Sequence, residues 1–176
     1  MPKGKGGESG RTGMARSPGA LPRIFSGTHT KTIDAKGRVS VPPDFRARFA
    51  SPELGLYVMR SVTGEEALDV FEAAEFTCFV SNSEQVFSSE AMDSAFAIFG
   101  SALNLRLDRE GRIVLPEEFR EYARIDAEAC FIGLGRHFQI WEPVRGRAKQ
   151  DEAFRNAVRN RDTISLPLAR EGGATS

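Results

Sequence analysis

The sequence predicts an α+β fold, mainly β, in which two internal copies of one small unit close on each other as a barrel decorated with short helices. Three observations carry that prediction. The run Asp34-Ala-Lys-Gly-Arg-Val-Ser-Val-Pro-Pro-Asp-Phe-Arg46 returns 74 residues later as Asp108-Arg-Glu-Gly-Arg-Ile-Val-Leu-Pro-Glu-Glu-Phe-Arg120, repeating Asp, Gly, Arg, Pro, Phe and Arg. Short segments of β-branched and aromatic residues flank each copy at matching places. Four short strands make a poor core alone, so two copies side by side would hide each other's edges.

The elements follow in order. Thr28 to Ile33 is β-branched and polar, a half-exposed strand. Asp34-Ala-Lys-Gly37 has the chemistry of a tight turn, with Asp first to accept a backbone N–H and Gly last to tolerate positive φ. Arg38 to Val41 is the return strand, with Val39 and Val41 on one face and Arg38 and Ser40 on the other. Pro42 opens a short helix, and Phe45 and Phe49 share one face of it. A second hairpin runs Leu56–Met59, a turn near Thr63-Gly64, then Leu68–Phe71. In the second copy, Cys130–Gly133 aligns with Leu56–Met59 at the same offset of 74, and His137–Glu142 aligns with Ala67–Glu72 at an offset of 70. On that alignment the intervening loop is four residues longer in the first copy.

The repeats are placed at 24–72 and 101–145, joined by connecting helices over 73–100. One helix is read from Glu72 to Ser83. A second runs from Ser88 to Phe99, capped by Ser88 or Ser89 and ended by Gly100, with Met92, Ala95, Phe96 and Phe99 forming an apolar stripe at helical spacing. A third starts at Pro143 and ends near Arg159, opening the region 146–176, whose end is a loose tail. Residues 1–23 are rich in Gly, Ser and Pro and carry Lys3, Lys5, Arg11, Arg16 and Arg23 against Glu8. Two readings of that stretch stand: a disordered basic arm that adds phosphate affinity, or residues upstream of a true start at Met14.

Composition narrows the function classes. The 176 residues balance 24 Lys and Arg against 24 Asp and Glu, which excludes a uniformly basic nucleic-acid coat but not a local basic patch. Cys78 and Cys130 lie far apart in apolar surroundings, and His29 and His137 share no ligand spacing with them, so no disulfide framework, metal or other cofactor is expected. No apolar run is long enough to cross a membrane, which predicts a chain of a reducing, cytoplasmic compartment. No nucleophile elbow or Walker loop is present, so no catalytic residues and no small-molecule ligand are expected.

One charged feature stands out. The first turn carries Lys36 and Arg38 at its tip, flanked by Lys31 and His29, on a hairpin of a width that fits a DNA major groove. Arg38 and Arg112 have two possible employments, contact with DNA or an ion pair with their own Asp34 and Asp108. Arg46 and Arg120 read as interface or ion-pair residues, and Phe96, Phe99 and Trp141 as core or subunit contact. The basic residues of the third helix and tail, Arg145, Arg147, Lys149, Arg155, Arg159 and Arg161, read as a solvated surface among acids.

The doubled Asp-x-x-x-Arg turn, each followed by an apolar pair, Pro and Phe-Arg, resembles the MraZ family over about residues 24–145, as do the Glu121-Tyr-Ala123 run and the strand ending at Trp141. The resemblance implies the swapped-hairpin barrel of AbrB-like domains formed within one chain, assembly into a homo-oligomeric ring, and a bacterial, nucleoid-associated transcription regulator. It implies binding to short direct repeats in duplex DNA upstream of the division and cell-wall gene cluster. It makes Asp34, Lys36 and Arg38, then Asp108 and Arg112, the DNA-reading residues, with Lys31 and Arg109 as neighbouring charges. The second copy departs from the first: Glu110 stands where Lys36 stands, and Leu105 where Lys31 stands. The first turn is therefore expected to be the stronger contact. The competing expectation is an oligomeric ring whose partner is protein.

Overall fold

The computed structural model describes residues 23–81 and 92–160. In chain order the elements are β1 (Thr28–Thr32), β2 (Arg38–Ser40), α1 (Pro43–Arg46), β3 (Leu56–Arg60), β4 (Leu68–Glu72), α2 (Ala73–Ser81), α3 (Met92–Phe99), β5 (Leu103–Leu105), β6 (Arg112–Val114), α4 (Glu117–Tyr122), β7 (Glu128–Gly133), β8 (Phe138–Trp141) and α5 (Pro143–Arg159). The two copies run in the same order: hairpin turn, short helix, second hairpin, then a helix. The expected arm at 1–23, apart from Arg23, the tail beyond 160, and the cap at Ser88 or Ser89 lie outside the described residues.

The strands trade partners between copies. β1 of the first copy pairs with β7 of the second, and β5 of the second pairs with β3 of the first. β4 pairs with β8 at the centre, giving one antiparallel sheet in the order β1-β7-β8-β4-β3-β5. β2 and β6 leave that sheet and form a two-stranded ribbon of their own.

The closed barrel is therefore corrected to an open sheet with a separate ribbon lying on it. Each ribbon strand has only three residues and runs straight into Pro42 or Pro116, which has no N–H to extend a ladder. The ribbon meets the chain leaving the edge strand β1 through the isolated bridge Ile33–Val39. That leaves β1 and β5 as the two edges of the main sheet.

Register brings a second correction. His29 faces Phe131 on β7, and Leu103, its counterpart 74 residues on, faces Val58 on β3. Val58 therefore corresponds to Phe131, and Leu56 to Ala129, an offset of 73 and not 74. The loop inside the second hairpin is three residues longer in the first copy, not four. A slip of one residue turns every side chain to the other face of a sheet. The faces agree with the corrected offset: Leu56, Val58, Ala129 and Phe131 share the inner core, whereas Cys130 packs on the outer face with Ile132 and Trp141.

The inner core lies between sheet and ribbon. Val39, Val41, Ile113 and Leu115 descend from the ribbon, Phe45 and Phe119 from α1 and α4, onto Val58, Val70, Phe131 and Ile140 of the sheet. All of these are essentially inaccessible to solvent, and each fully buried side chain of this size contributes about 1.5–3 kcal/mol. On the outer face, Met59 and Phe71 meet Phe76 of α2 and Ile98 of α3. On α3 Ile98 is buried against the sheet, whereas Phe96 and Phe99, read as core or subunit contact, face outward, Phe96 with 71% of its surface exposed. Trp141 is core, its Nε1 donating to Gln139 Oε1 at 2.9 Å.

α5 covers the same face over the second copy. Glu142 caps it, accepting from the N–H groups of Val144 at 3.0 Å and Arg145 at 2.9 Å. The longer loop of the first copy reaches this helix: Glu66 pairs with Arg145 and, at 2.9 Å, with Arg124, and Glu65 pairs with Lys149 at 2.6 Å. Arg145 and Lys149 are thus ion-pair partners between copies, more than a solvated surface. Among the described residues no helix is long and apolar enough to cross a membrane.

His137 gives the fold a pH dependence. Its ring stacks on Phe71 at 4.7 Å, with Nε2 3.8 Å from Asp69 Oδ1, and burial lowers its pKa below 6.5 against the opposing pull of Asp69. The unfolded chain therefore takes up this proton more readily than the folded one. The stabilisation is complete above pH 6.5 and is lost progressively as pH falls below it. Thermal unfolding should show a lower Tm at pH 5.5 than at pH 7.5, and His137→Gln should shrink that difference. An undiminished difference in the variant would assign the effect to other groups.

Candidate nucleic-acid interface

Each turn is built the same way. In the first, Gly37 N donates to Asp34 O at 2.9 Å and Asp34 N to Arg38 O at 3.0 Å. Asp34 Oδ1 accepts from the backbone N–H of both Lys36 and Arg38 at 2.9 Å, and Arg38 Nε donates to Asp34 Oδ2 at 2.6 Å. In the second, Asp108 Oδ1 accepts from Glu110 N and Arg112 N at 2.9 Å each, and Arg112 Nε donates to Asp108 Oδ2 at 2.8 Å. A carboxylate with these partners favours its charged form. The Arg38 backbone N–H holds Asp34 below the ordinary carboxylate range, and the Arg112 backbone N–H does the same for Asp108. The support they lend is present above that range and is lost only as acid protonates them, so both turns persist through neutral and mildly acidic pH.

The turns are opposite ends of one surface. In the ribbon, Arg38 faces Val114 and Ser40 faces Arg112, while Val39 and Ile113 between them point into the core. Strand alternation therefore puts Arg38, Ser40, Arg112 and Val114 on a single outward face. Backbone bonds lock the copies together there: Val41 N donates to Gly111 O at 3.0 Å, and Leu115 N to Gly37 O at 2.9 Å.

The two arginines differ in their company. Arg38 pairs with Asp34, its Nε 2.6 Å from Oδ2. Arg112 pairs with Asp108 through Nε and with Glu110 through Nη1 at 2.7 Å, and the hydrogen bond to Asp108 raises its pKa further. Lys36 and Arg109 sit exposed at the turn tips. Lys31 lies outside both turns, half-buried on the edge strand β1 opposite Ala129. His29 packs edge-on against Phe45 at 5.2 Å, with Nε2 4.0 Å from Asp44.

Arg46 and Arg120 do work that sequence reading missed. Arg46 packs beneath the opposite copy's turn at Gly111 and donates from Nε to Val41 O at 3.1 Å; Arg120 lies beneath the turn at Gly37, its buried Nε without a hydrogen-bond partner. Each copy's helix thus supports the other copy's turn. The signal in the sequence was the repeat itself, because Phe-Arg recurs at a fixed distance from each turn.

Both halves of the molecule converge on one ribbon, so the fold and site define an internally duplicated hairpin protein whose two turns present a single surface. Comparison with known proteins makes that class particular. The family model described as "MraZ protein, putative antitoxin-like" matches residues 24–96 and again 98–162, each stretch taking in the helix after the second hairpin. A protein of Gluconacetobacter diazotrophicus is 37% identical over 159 residues, 86% of this chain and 98% of its own. One from Beijerinckia indica is 41% identical over 154 residues, 82% and 90% of the two chains, and one from Methylocella silvestris is 42% identical over 136 residues, 75% and 81%. All three carry the name "Transcriptional regulator MraZ". The chain belongs to the MraZ family.

Proposed function

We propose that this chain is a transcriptional regulator that reads duplex DNA with the outward face of the β2–β6 ribbon and its two Asp-x-x-x-Arg turns. The observation that carries the reading is the fixed pose of Arg38: Asp34 grips its Nε, Val39 beside it is sunk in the core, and the side chain lies on the ribbon's outward face. A two-stranded ribbon fits the major groove, and an arginine there bonds guanine O6 and N7 together. Lys36, Arg109 and Lys31 suit phosphate contacts, which position without specifying sequence. Arg112, shared with Glu110, makes the weaker contact. Asp34 and Asp108 act by holding the turns.

One ribbon makes few contacts, so a subunit alone binds weakly. Linked copies on successive direct repeats raise avidity by about 10²–10⁴ without new contacts. Ring assembly and a repeated operator upstream of the division and cell-wall genes, as the resemblance implies, belong together on that arithmetic. The outward-facing Phe96, Phe99 and Phe154 supply apolar surface for assembly to cover. The reading places the protein in the bacterial cytoplasm, at the nucleoid, and requires no cofactor.

The test is an anisotropy titration of the full chain against the DNA upstream of its own operon across a salt series. Log affinity should fall linearly with log salt, with a slope of about −0.9 per phosphate contacted, and the site should be preferred over random duplex. Equal affinity for random duplex would overturn the reading in favour of an oligomeric protein-interaction ring.

A further inference from the structure

Val114 stands in an unexpected place. It occupies the outward face of the ribbon with 52% of its surface exposed, although its neighbours Ile113 and Leu115 are buried. Arg38 is its register partner, and Arg112 lies two residues back on the same strand face. In the first copy the equivalent residue is Ser40, which faces Arg112. The pseudo-twofold relation between copies therefore holds for the arginines and breaks at this one pair of outward positions. An exposed branched aliphatic side chain between two guanidinium groups suits a partner that is anionic and yet displays methyl groups. The DNA major groove is such a surface, and thymine C5 supplies the methyl there.

We infer that Val114 is a specificity-determining residue that packs on the C5 methyl of a thymine close to the guanine read by Arg38; this rests on the DNA-reading role proposed above. Cross-strand neighbours in an antiparallel pair lie about 4.5–5.5 Å apart, and successive bases about 3.4 Å apart. The thymine therefore falls within one or two base pairs of that guanine. Ser40, facing Arg112, has no comparable apolar reach. The two ends of the ribbon then read different chemistry, which gives each subunit a fixed direction along the duplex.

The experiment starts from a duplex selected by the full chain from a randomised library, in which each thymine is then replaced singly by deoxyuridine. The wild-type chain should lose about fourfold in affinity at one thymine, the value of one buried methyl-sized group. Val114→Ser should bind the thymine and uracil duplexes equally while keeping the guanine preference, and Ser40→Val should create sensitivity at a second position. If the wild-type chain prefers its selected duplex but tolerates every uracil, or if Val114→Ser is as sensitive as wild type, the inference fails and the DNA reading stands. Loss of the assembled form of Val114→Ser on a sizing column would make Val114 a subunit contact and also overturn it. If no duplex is enriched at all, the underlying DNA reading falls and this inference with it.

Discussion

Arg38→Ala removes preference for the specific site and leaves fold and assembly in place. The expected loss is about 1–3 kcal/mol for each subunit engaged, the worth of one bidentate guanine contact. That is roughly 5- to 150-fold per subunit at 1.4 kcal/mol per tenfold. With several subunits on a repeated site the losses multiply, so specific binding should vanish into the background of random duplex. Stability should barely change. The pair with Asp34 is part-exposed, and solvent screens such pairs so that they add little to stability. The turn also keeps its shape, because Asp34 still accepts from the backbone N–H groups of Lys36 and Arg38. Arg112→Ala should cost less affinity, since its guanidinium is already shared between Asp108 and Glu110. Glu110→Lys, which restores the symmetry with Lys36, should strengthen binding to any duplex and steepen the salt slope by about 0.9. Anisotropy, a sizing column and far-UV circular dichroism on the same preparations separate these effects. An Arg38→Ala protein that binds the operator as well as wild type would show that the hairpin is not the reader.

What could be read in the sequence divides along local and non-local lines. The turns were readable because their chemistry is local: Asp34 and Gly37 are chosen by backbone geometry within five residues, and the repeat at Asp108 and Gly111 doubled the signal. The difference between Lys36 and Glu110 is legible for the same reason, but the pair that Glu110 makes with Arg112 is seen only in the folded turn. The exchange of partners between copies left no local mark, because β1 is as compatible with its own hairpin as with β7. The one-residue slip at Leu56 arose in β7, where Ala129, Cys130, Phe131 and Ile132 are all apolar. A strand buried on both faces has no alternation to fix its register. For Phe96 and Phe99, read as core or subunit contact, the single chain excludes only the core alternative: an apolar stripe on a short helix shows which faces are sticky but not which of them the sheet covers. Arg46 and Arg120 read from the sequence as interface or ion-pair residues; their packing beneath the opposite copy's turn needs the folded ribbon to be seen.

Gly37→Ala should be the more damaging of the two turn-glycine substitutions, although Gly37 and Gly111 have nearly the same backbone, φ +75° and +74°. Left-handed backbone costs a non-glycine residue about 1–2 kcal/mol in either turn. The difference lies in what the added methyl meets. At Gly37 it would lie 2.9 Å from the carbonyl oxygen of Leu115, a backbone atom held by the burial of Leu115 and by the bond from Leu115 N to Gly37 O. Relief therefore has to come from the turn, by lengthening the bond that joins the two ribbon strands. At Gly111 it meets the Arg46 side chain, which can swing away at the loss of its bond to Val41 O. About 3 kcal/mol is expected for Gly37→Ala and about 2 kcal/mol for Gly111→Ala, and at roughly 2–4 °C per kcal/mol the Tm should fall by about 6–12 °C and about 4–8 °C. Affinity should follow the same order, because displacing Gly37 tilts the strand that carries Arg38 and uncouples it from Val114. Equal Tm shifts would mean that Leu115 yields as easily as a side chain, and the cross-copy bond could then no longer be credited with holding the reading face in one pose.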